Sequence, residues 1–268
     1  MDEQRRKQLS SRLADLMGES ERGYITYSFF LDPAELSFAK SYISGAGFGE
    51  RTFLFGGYEN AERKCVFFLP EYYADMIDDI SDYNAVFSML CTELSDAVKV
   101  IRIEGSGYRK LSHRDFLGAM LNLGIARDAI GDLCLPEDNT CVLFSSPSVA
   151  ELIKSGCERI GSDKVRIKEI PLSDGFSYER KTKSVCDTIA SDRVDCVVSS
   201  LSGESREKSK SLILSGLVEF NYEQVAKTDV RVSEGDTVVI RGVGKFIIDG
   251  IHEETKKGRI RLAARKFI

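Results

Sequence analysis

Apolar residues near position 200 recur with the spacing of one helical face. The positions i, i+3, i+4 and i+7 are occupied by Val194, Val197, Val198 and Leu201. This spacing predicts a short amphipathic helix, with Asp192 as its N-cap. Ser205 is the predicted N-cap of a second helix that runs to about Ser215, and Gly216 is placed to end it in a left-handed conformation. The chain is therefore expected to fold into two consecutive short helices here.

Alternation with a period of two residues begins directly after these helices. Residues 218–220 predict one short strand, and the Gly235-Asp236 turn leads into a second over residues 237–241. Residues 247–262 predict a hairpin. The cations expected at its tip or on its returning strand are Lys256, Lys257 and Arg259. They are candidates for phosphate contacts, with a solvated hairpin end as the alternative.

The hydrophobic pattern in the middle of the chain predicts two strand-helix-strand units. The predicted strands are residues 98–103, 130–135, 140–144 and 164–170, and the predicted helices are residues 112–121 and 148–159. This βαββαβ order predicts a ferredoxin-like domain over residues 83–172, a layout that RNA-recognition folds also use. No aromatic residue lies in the first strand, so contact with RNA is expected through charge and shape. The candidates, expected to cluster around the loop before the first helix and the turn after it, are Arg109, Lys110, His113, Arg114 and Arg127.

Residues 1–82 predict a separate N-terminal α/β domain. A helix over residues 3–17 is followed by a second one, capped by Asp32, that reaches about Ile43. Two strands, residues 52–55 and 64–69, are joined by a polar segment that starts with Gly56-Gly57. The default interpretation of this segment is a solvated turn, with Arg63 and Lys64 near its tip.

Composition and charge restrict the classes of protein. The 268 residues are 43% hydrophobic and 29% charged, which is typical of a soluble globular chain. No apolar run approaches the roughly 20 residues that span a bilayer, and the N-terminus lacks a signal-peptide core. The seven cysteines are scattered and never spaced Cys-x-x-Cys, which favours reduced thiols. We therefore expect a cytoplasmic protein with no membrane contact and no metal or cofactor.

The charge is distributed unevenly along the chain. The net charge is −5, but residues 193–268 carry 14 Lys and Arg against 11 Asp and Glu. The preceding 192 residues carry 23 against 31. A basic end on an acidic body concentrates the potential for phosphate binding in one region.

The order of elements in the basic region resembles the αL RNA-binding domain named after ribosomal protein S-four. The resemblance lies in Arg193-x-Asp195, Ser205-Arg206-x-Lys208, Leu212-Ile213, Gly216-x-Val218, Asn221 and Gly235-Asp236. It implies a third domain at residues 187–268, whose Ser-Arg helix presents cations to structured RNA. The RNA-binding residues expected here are Arg193, Ser205, Arg206, Lys208, Lys210, Asn221, Arg241 and Lys245. The chain departs from the common pattern at two positions. Tyr222 follows Asn221 where glycine is common, and Ser209 stands where a small apolar residue usually faces the first helix.

Three further segments extend the resemblance over nearly the whole chain. They are Gly56-Gly-Tyr-Glu-Asn-Ala-Glu-Arg-Lys64, Leu111-Ser-His-Arg-Asp-Phe-Leu-Gly-Ala119 and the stretch from Gly124 to Asp132. With the αL domain, they resemble the bacterial YlmH family, described as a ribosome quality-control RNA-binding factor. The resemblance implies a non-catalytic monomer with an α+β fold of three small domains. Its partners would be large-subunit ribosomal RNA, peptidyl-tRNA and other quality-control factors at a stalled nascent chain.

Enzymatic motifs in the sequence are incomplete. The glycine pattern that begins at Gly105 has Lys110 in place of the third glycine, and Gly244-Lys245 lacks the flanking residues of a phosphate loop. With His113 and His252 as the sole histidines, a three-histidine metal site is impossible. With seven cysteines and two histidines in the chain, a catalytic Cys-His dyad remains an alternative.

Two other functions stay open from the sequence. Pseudouridine synthases also carry an αL domain, usually N-terminal to the catalytic domain, so an RNA-modifying enzyme is the second hypothesis. The order here is reversed, and no Arg-Leu-Asp-type catalytic segment precedes the αL domain. A structural scaffold that joins cell-division proteins is the third hypothesis.

Overall fold

The structure is a computed structural model with two compact units, residues 1–179 and 180–268. It describes residues 1, 3–254 and 258–268, and for residues 253 and 254 the backbone alone. Helices and sheets alternate in both units, which confirms the mixed α and β character predicted from the sequence. The finer division into three domains stays a prediction.

The first unit begins with two helices and a small antiparallel sheet. Its first elements are α1 Glu3–Glu21, β1 Thr26–Tyr27, α2 Pro33–Gly45, β2 Thr52–Phe55, β3 Cys65–Phe68, α3 Glu71–Ala74 and α4 Tyr83–Ala97. The sheet order is β1-β3-β2. Asp32 caps α2 as predicted, because its carboxylate accepts from the Glu35 amide at 2.8 Å while the Glu35 side chain accepts from the Asp32 amide. The predicted elements of this region are present, with α1 four residues longer than expected.

A five-stranded antiparallel sheet forms the middle of the chain. Its elements are β4 Lys99–Gly105, α5 His113–Asn122, β5 Ile130–Cys134, β6 Thr140–Ser145, α6 Pro147–Gly156, β7 Arg159–Ile160 and β8 Asp163–Ile170. The strand order is β5-β6-β4-β8-β7. Apart from the added β7, this is the predicted βαββαβ order folded as a split βαβ sheet. Helices α5 and α6 cover one face through Phe116, Met120 and Ile153, which pack with Ile101 and Leu143.

The opposite face of this sheet shares a core with the N-terminal region. Val100, Val142 and Phe144 belong to the same buried cluster as Phe55 and Phe67. Residues 1–82 and 83–172 therefore lie in one compact unit and bury apolar surface against each other.

The segment 57–64 was expected to be a solvated turn, and the structure corrects that expectation. Gly57 adopts φ +100 directly over Phe144, where a Cβ would come within 1.9 Å of the ring. Tyr58 is 2% exposed, stacks on Phe144, and donates its hydroxyl to the Asp132 carboxylate at 2.8 Å. Asp132 also accepts from the amides of Glu62 and Arg63 at 2.8 and 3.1 Å. Glu59 and Asn60 stay exposed, but the rest of this polar segment packs on the sheet because one carboxylate satisfies its donors.

The second unit is a six-stranded antiparallel sheet with two helices. Its elements are β9 Thr182–Ile189, α7 Val194–Ser202, α8 Arg206–Leu214, β10 Val218–Phe220, β11 Glu223–Gln224, β12 Thr237–Ile240, β13 Gly244–Glu254 and β14 Ile260–Phe267. The sheet order is β11-β10-β12-β13-β14-β9. Val194, Val197 and Val198 of α7 are completely buried against Val238 and Phe246 of the sheet, as their spacing predicted. The sequence did not predict β9, which begins five residues before the expected domain start and pairs with β14.

The N-cap of α7 differs from the prediction. Arg193 occupies that position, and the Asp192 carboxylate instead accepts two hydrogen bonds from Arg231 at 2.7 and 2.8 Å. Spacing alone could not reveal this, because Arg231 lies 39 residues further along the chain than Asp192. The predicted caps of the second helix are both present: Ser205 accepts from the Lys208 amide, and Gly216 has φ +70.

The chain forms a tight turn at Asn221-Tyr222 without the usual glycine, and the backbone there is strained. Asn221 and Tyr222 have φ +49 and +66, so β10 and β11 are joined by a two-residue turn with both central residues left-handed. Tyr222 is an uncommon residue for that conformation. The Asn221 side chain supports the turn, because it donates to Asp236 at 2.8 Å and accepts from the Thr237 amide at 2.9 Å.

We predict that Asp132→Ala loosens segment 57–64, since three donors then lose their acceptor. An unpaired buried donor costs about 1–3 kcal/mol, so exchange of the Glu62 and Arg63 amides should accelerate about tenfold or more. Hydrogen exchange read by mass spectrometry on peptides that cover residues 58–68 measures this. Asp138→Ala is the matched control, because Asp138 is an exposed carboxylate paired with Lys110. Equal exchange in both variants would contradict the anchoring role of Asp132.

Candidate nucleic-acid interface

A buried carboxylate organises the basic region of the second unit. Asp195 lies in the first turn of α7 with its side chain 0% exposed. It accepts from Nε of Arg193 at 3.2 Å and from Nε of Arg206 at 3.0 Å. Burial by itself would raise the pKa of Asp195, but the hydrogen bonds and charges of Arg206 and Arg193 outweigh burial and lower the pKa below its ordinary value. Asp195 is therefore an anion that fixes two guanidinium groups.

Arg206 reaches this carboxylate because the two helices pack closely at their N-terminal ends. It is the first residue of α8, after the Ser205 cap. Ser209, one turn later, is fully buried and donates its hydroxyl to the Ser205 carbonyl at 3.0 Å. The small side chain allows α8 to approach α7, as expected from its position in the sequence. About half of the Arg206 side chain, 48%, stays exposed, so its guanidinium is oriented by Asp195 and still accessible.

Arg206 and Arg259 line one cleft of about 360 Å³. The cleft is bounded by the end of β9, by α7 and by the turn between α7 and α8, with Ser199 and Ser200 on its wall. Nη2 of Arg259 donates to the Thr188 carbonyl at 2.7 Å, which positions the side chain at the mouth. These arginines are 53 residues apart in sequence, and the structure brings them together. Both hydroxyls donate within the chain, Ser199 to the Glu204 carbonyl at 2.7 Å and Ser200 to the Asp187 carboxylate at 2.6 Å, and Asp187 and Glu204 also line the cleft. The donors that the cleft offers to phosphate oxygens are therefore the two guanidinium groups.

Lys208 and Lys210 extend the basic surface along α8. Their Nζ atoms pair with Glu204 at 2.7 Å and with Glu207 at 3.0 Å, within one turn of the helix. Such exposed pairs contribute about 0.3–0.5 kcal/mol, so both lysines can exchange a carboxylate for a phosphate at small cost.

The remaining candidates of this unit do not share the helical surface. Lys245 pairs with Val239, on the sheet face opposite to buried Val238 and Phe246. Its ammonium lies 4.9 Å from the Tyr222 ring centre and 5.0 Å from that of Phe267. Arg241 is exposed at the end of β12. Asn221 uses its side-chain amide within the chain, and Lys256 and Lys257 lie outside the described residues.

The five candidates of the middle region fall into two places. Arg109 pairs with Asp115, and Lys110 pairs with Asp138 at 3.0 Å, both beside the start of α5. His113 is the first residue of α5 and is exposed. Arg114 follows it, also exposed, and makes no ion pair within the part of the chain that the structure describes.

Arg127 lies away from the other four, which corrects the single cluster expected from the sequence. It precedes β5, whose first residue pairs with Ser145, and Ser145 pairs with Lys99 at the start of β4. Arg109 follows the other end of β4, and seven residues of strand separate these ends by roughly 20 Å. Nη1 of Arg127 donates to two carbonyls of its own chain, and burial with the nearby Arg63 charge lowers its pKa to about 10. Arg127 thus holds the start of β5.

Sequence reasoning missed a row of cations on β8. Residues 164, 166 and 168 are Lys, Arg and Lys, and all three are exposed. In the register of β4 and β8, Arg166 lies opposite Glu104 and Lys168 lies opposite Arg102. These residues are on the sheet face that α5 and α6 leave uncovered. The hydrogen bond from Arg102 and the charges of Lys168 and Arg166 lower the pKa of Glu104. The alternation of cations with Val165 and Ile167 was the available signal, since it places every cation of the strand on one face.

Comparison with known proteins matches the middle region to a family model and most of the chain to a relative. Residues 97–174 match the family model described as "Putative RNA-binding domain in YlmH". The chain is also 30% identical, over 233 residues, to a Bacillus subtilis (strain 168) protein named "Ribosome-associated protein quality control protein P2". That match covers 87% of this chain and 84% of the relative. The chain belongs to the YlmH family.

A solved structure of another YlmH protein is similar in part. The cell division protein ylmH from Streptococcus pneumoniae shares 16% identity with this family member, with a TM-score of 0.47. The match covers 66% of this chain and 98% of that one.

Among the described residues, no three His, Cys, Asp or Glu side chains gather as a metal site, and none of the helices found there is long and apolar enough to cross a membrane. All seven cysteines are free thiols. Burial raises the pKa of the Cys157 thiol.

We predict that Asp195→Asn destabilises the second unit by about 1.5–3 kcal/mol at pH 7, the usual range for a hydrogen bond to a charged group. The folded-state pKa of Asp195 is lowered, so its contribution is present above the unfolded pKa near 4. That contribution is lost as the pH falls through the folded-state pKa, so wild type and variant should converge in acid.

Urea unfolding followed by the amide NMR signals of residues 194–214, at pH 7 and pH 3, measures the difference. Asp192→Asn is the control, because Asp192 also pairs with an arginine but its partner Arg231 is 78% exposed. An Asp195→Asn effect no larger than the control effect, or one that persists unchanged at pH 3, would refute this account.

Proposed function

We propose that this protein is a non-catalytic RNA-binding factor that binds the large ribosomal subunit carrying peptidyl-tRNA. It supports ribosome-associated quality control of stalled nascent chains, together with other factors of that process. The observation that carries the proposal is the cleft that joins Arg206 and Arg259 beside the Asp195 carboxylate. The name of the Bacillus subtilis relative and the description of the family model support the biological setting.

Local charge favours RNA in spite of the acidic total. Residues 180–268 carry 17 Lys and Arg against 13 Asp and Glu, whereas residues 1–179 carry 20 against 29. Affinity for a polyanion depends on the cations at the contact, because each neutralised phosphate releases condensed counterions. A basic surface on an otherwise acidic chain limits non-specific binding and orients the protein on its target.

Shape supplies the selectivity in this account. Oriented guanidinium groups bind two phosphates only when the phosphates have a particular spacing. A fixed pair such as Arg206 and Arg259 therefore suits the backbone of a folded RNA better than the backbone of a flexible RNA. The cation row on β8 offers a second contact region in the middle of the chain. Two separate regions are suited to a large, structured partner such as ribosomal RNA with a bound tRNA.

We predict that the double variant Arg206→Gln with Arg259→Gln weakens binding to large-subunit ribosomal RNA roughly tenfold and lowers the salt slope by about 2, one unit per lost phosphate contact. Anisotropy of labelled RNA, titrated at several salt concentrations, measures both quantities. Arg22→Gln with Lys40→Gln is the control, because it removes the same charge from exposed positions of the first unit. The cleft is not the contact surface if the two double variants bind alike.

Recognition without chemistry is part of the proposal. An RNA-modifying enzyme such as a pseudouridine synthase is the alternative, and it would leave altered nucleosides in its substrate. We predict that incubation of the protein with bulk tRNA and ribosomal RNA leaves every nucleoside unchanged by mass spectrometry. Stoichiometric modification of any nucleoside would overturn the non-catalytic assignment, and RNA incubated without protein is the control.

A further inference from the structure

One aromatic side chain is held out into solvent by the domain that matches the RNA-binding family model. Tyr108 is 83% exposed, more than any other large apolar or aromatic side chain among the described residues. It lies in the loop between β4 and α5, residues 106–112, inside the matched range. Aromatic rings usually bury their faces, so a ring presented in this way has an unused stacking surface.

The base of this loop is fixed by hydrogen bonds at both ends. The Gly105 amide donates to the Asn139 carbonyl at 2.8 Å, and the Ser106 amide donates to the Lys164 carbonyl at 3.0 Å. At the far end, the Leu111 amide donates to the Asn139 side chain at 2.7 Å, and Leu111 itself is buried. Asn139 therefore clamps both ends of the loop, and Tyr108 projects from a rigid base.

A buried carboxylate adds a second support. Asp163, 1% exposed, accepts a hydrogen bond from the Ser106 hydroxyl. A Cβ at Gly105 would lie 2.8 Å from the other Asp163 oxygen and 2.9 Å from Leu111, so glycine is required for this approach. The Tyr108 amide then donates to the Ser106 hydroxyl at 3.3 Å. The position of the tyrosine is thus set by its own sequence neighbours and by the start of β8.

Cations lie around the loop. Arg109 and Lys110 follow the tyrosine directly, and each is held by a carboxylate that a phosphate can replace. By strand register, Gly105 pairs with Val165, so the loop leaves the sheet beside the β8 residues Lys164 and Arg166. A ring flanked by guanidinium and ammonium groups suits a ligand that alternates flat bases with phosphates.

We propose that Tyr108 stacks on an unpaired nucleobase of the bound RNA, while Arg109, Lys110 and Arg166 contact the phosphates beside that base. The inference rests on the proposed RNA-binding function and adds a base contact to it. It also changes the sequence-based expectation that this domain binds by charge and shape alone, because the ring lies in a loop and not on a strand.

A protein-docking role fits this ring less well. Anchor residues at protein interfaces lie in well-packed, desolvated surroundings, whereas Tyr108 is 83% exposed and is followed by Arg109 and Lys110, whose charges are costly to desolvate. Tyr72 shows the contrast: it is 52% exposed, but its hydroxyl donates to the Gly23 carbonyl and its ring contacts Tyr73. Tyr72 is therefore held by its own chain and serves as a control.

The absence of tryptophan from the sequence makes a direct test possible. In Tyr108→Trp the single indole reports stacking, and we expect its emission to be quenched as large-subunit ribosomal RNA saturates the protein. In Tyr72→Trp the emission should stay constant over the same titration, with binding followed independently by anisotropy of labelled RNA. Emission of Tyr108→Trp that stays constant while the RNA binds would overturn the proposal.

Affinity measurements separate stacking from charge. Loss of one base–aromatic stack costs about 1–3 kcal/mol, so Tyr108→Ala should weaken binding roughly 5- to 150-fold and leave the salt slope unchanged. Tyr108→Phe keeps the ring and should bind within about twofold of wild type. Lys110→Gln with Arg166→Gln should instead lower the slope, because both residues are assigned to phosphates.

The outcomes distinguish this inference from the function on which it rests. If wild type binds with a salt-dependent affinity and Tyr108→Ala binds equally well, the stacking contact is refuted and the RNA-binding function stands. If wild type shows no salt-dependent affinity for the RNA, both are refuted.

Discussion

The Asp195 carboxylate is the constraint on which the basic region depends. A fully buried anion is costly unless it is paired, and here Arg193 and Arg206 pair with its two oxygens. Its backbone amide also donates to the Thr228 carbonyl at 3.3 Å, so a loop distant in sequence closes over the same position. The start of α7, the start of α8 and this loop therefore meet at one charge. Arg206 reaches the surface already oriented, which reduces the entropy lost when it binds a phosphate.

Two other buried carboxylates, both in the first unit, also hold a segment of the chain in place. Asp132 holds segment 57–64 against the central sheet, and Asp163 supports the loop that carries Tyr108. Each accepts hydrogen bonds from a segment that would otherwise be a flexible loop. In both units, buried carboxylates thus position segments of the chain, and the segments held by Asp195 and Asp163 carry cations or an aromatic ring on their outer surfaces. This arrangement explains how an acidic chain can present surfaces suited to RNA.

Periodicity was sufficient to predict most helices and strands. The valine spacing of α7, the Asp32 and Ser205 caps and the βαββαβ order depend on interactions within about four residues or on strand alternation, and both leave a clear pattern. Helix α4 was not predicted, although its Asp82 cap and its Val86, Leu90 and Leu94 spacing are local. The errors at Asp192 and at segment 57–64 have another cause, because they involve distant partners. Asp192 was predicted as a cap but pairs with Arg231. Segment 57–64 was predicted to be solvated, but its amides donate to Asp132, which lies some 70 residues away.

The candidate site shows the same division. Arg206, Lys208 and Lys210 could be predicted because the Ser-Arg helix is a local motif. That Arg259 shares a cleft with Arg206, and that Arg127 lies away from Arg109, depends on strand pairing that a single sequence does not show. The β8 cations and Tyr108 were missed for different reasons. Alternation with Val165 and Ile167 marked the cations in the sequence, but their position on the face that α5 and α6 leave uncovered needed the register of a strand pair. The second needed the exposure of one loop residue.

Ultraviolet cross-linking of the intact protein to bacterial large ribosomal subunits tests the central claim most directly. Mass spectrometry of the cross-linked peptides identifies which residues contact RNA. The account predicts cross-links in two regions: the cleft between β9, α7 and α8 that contains Arg206 and Arg259, and the Tyr108 loop with the adjoining β8 strand. Cross-links confined to other surfaces, such as α1 or α3, or protein that binds the subunits without any RNA cross-link, would contradict it.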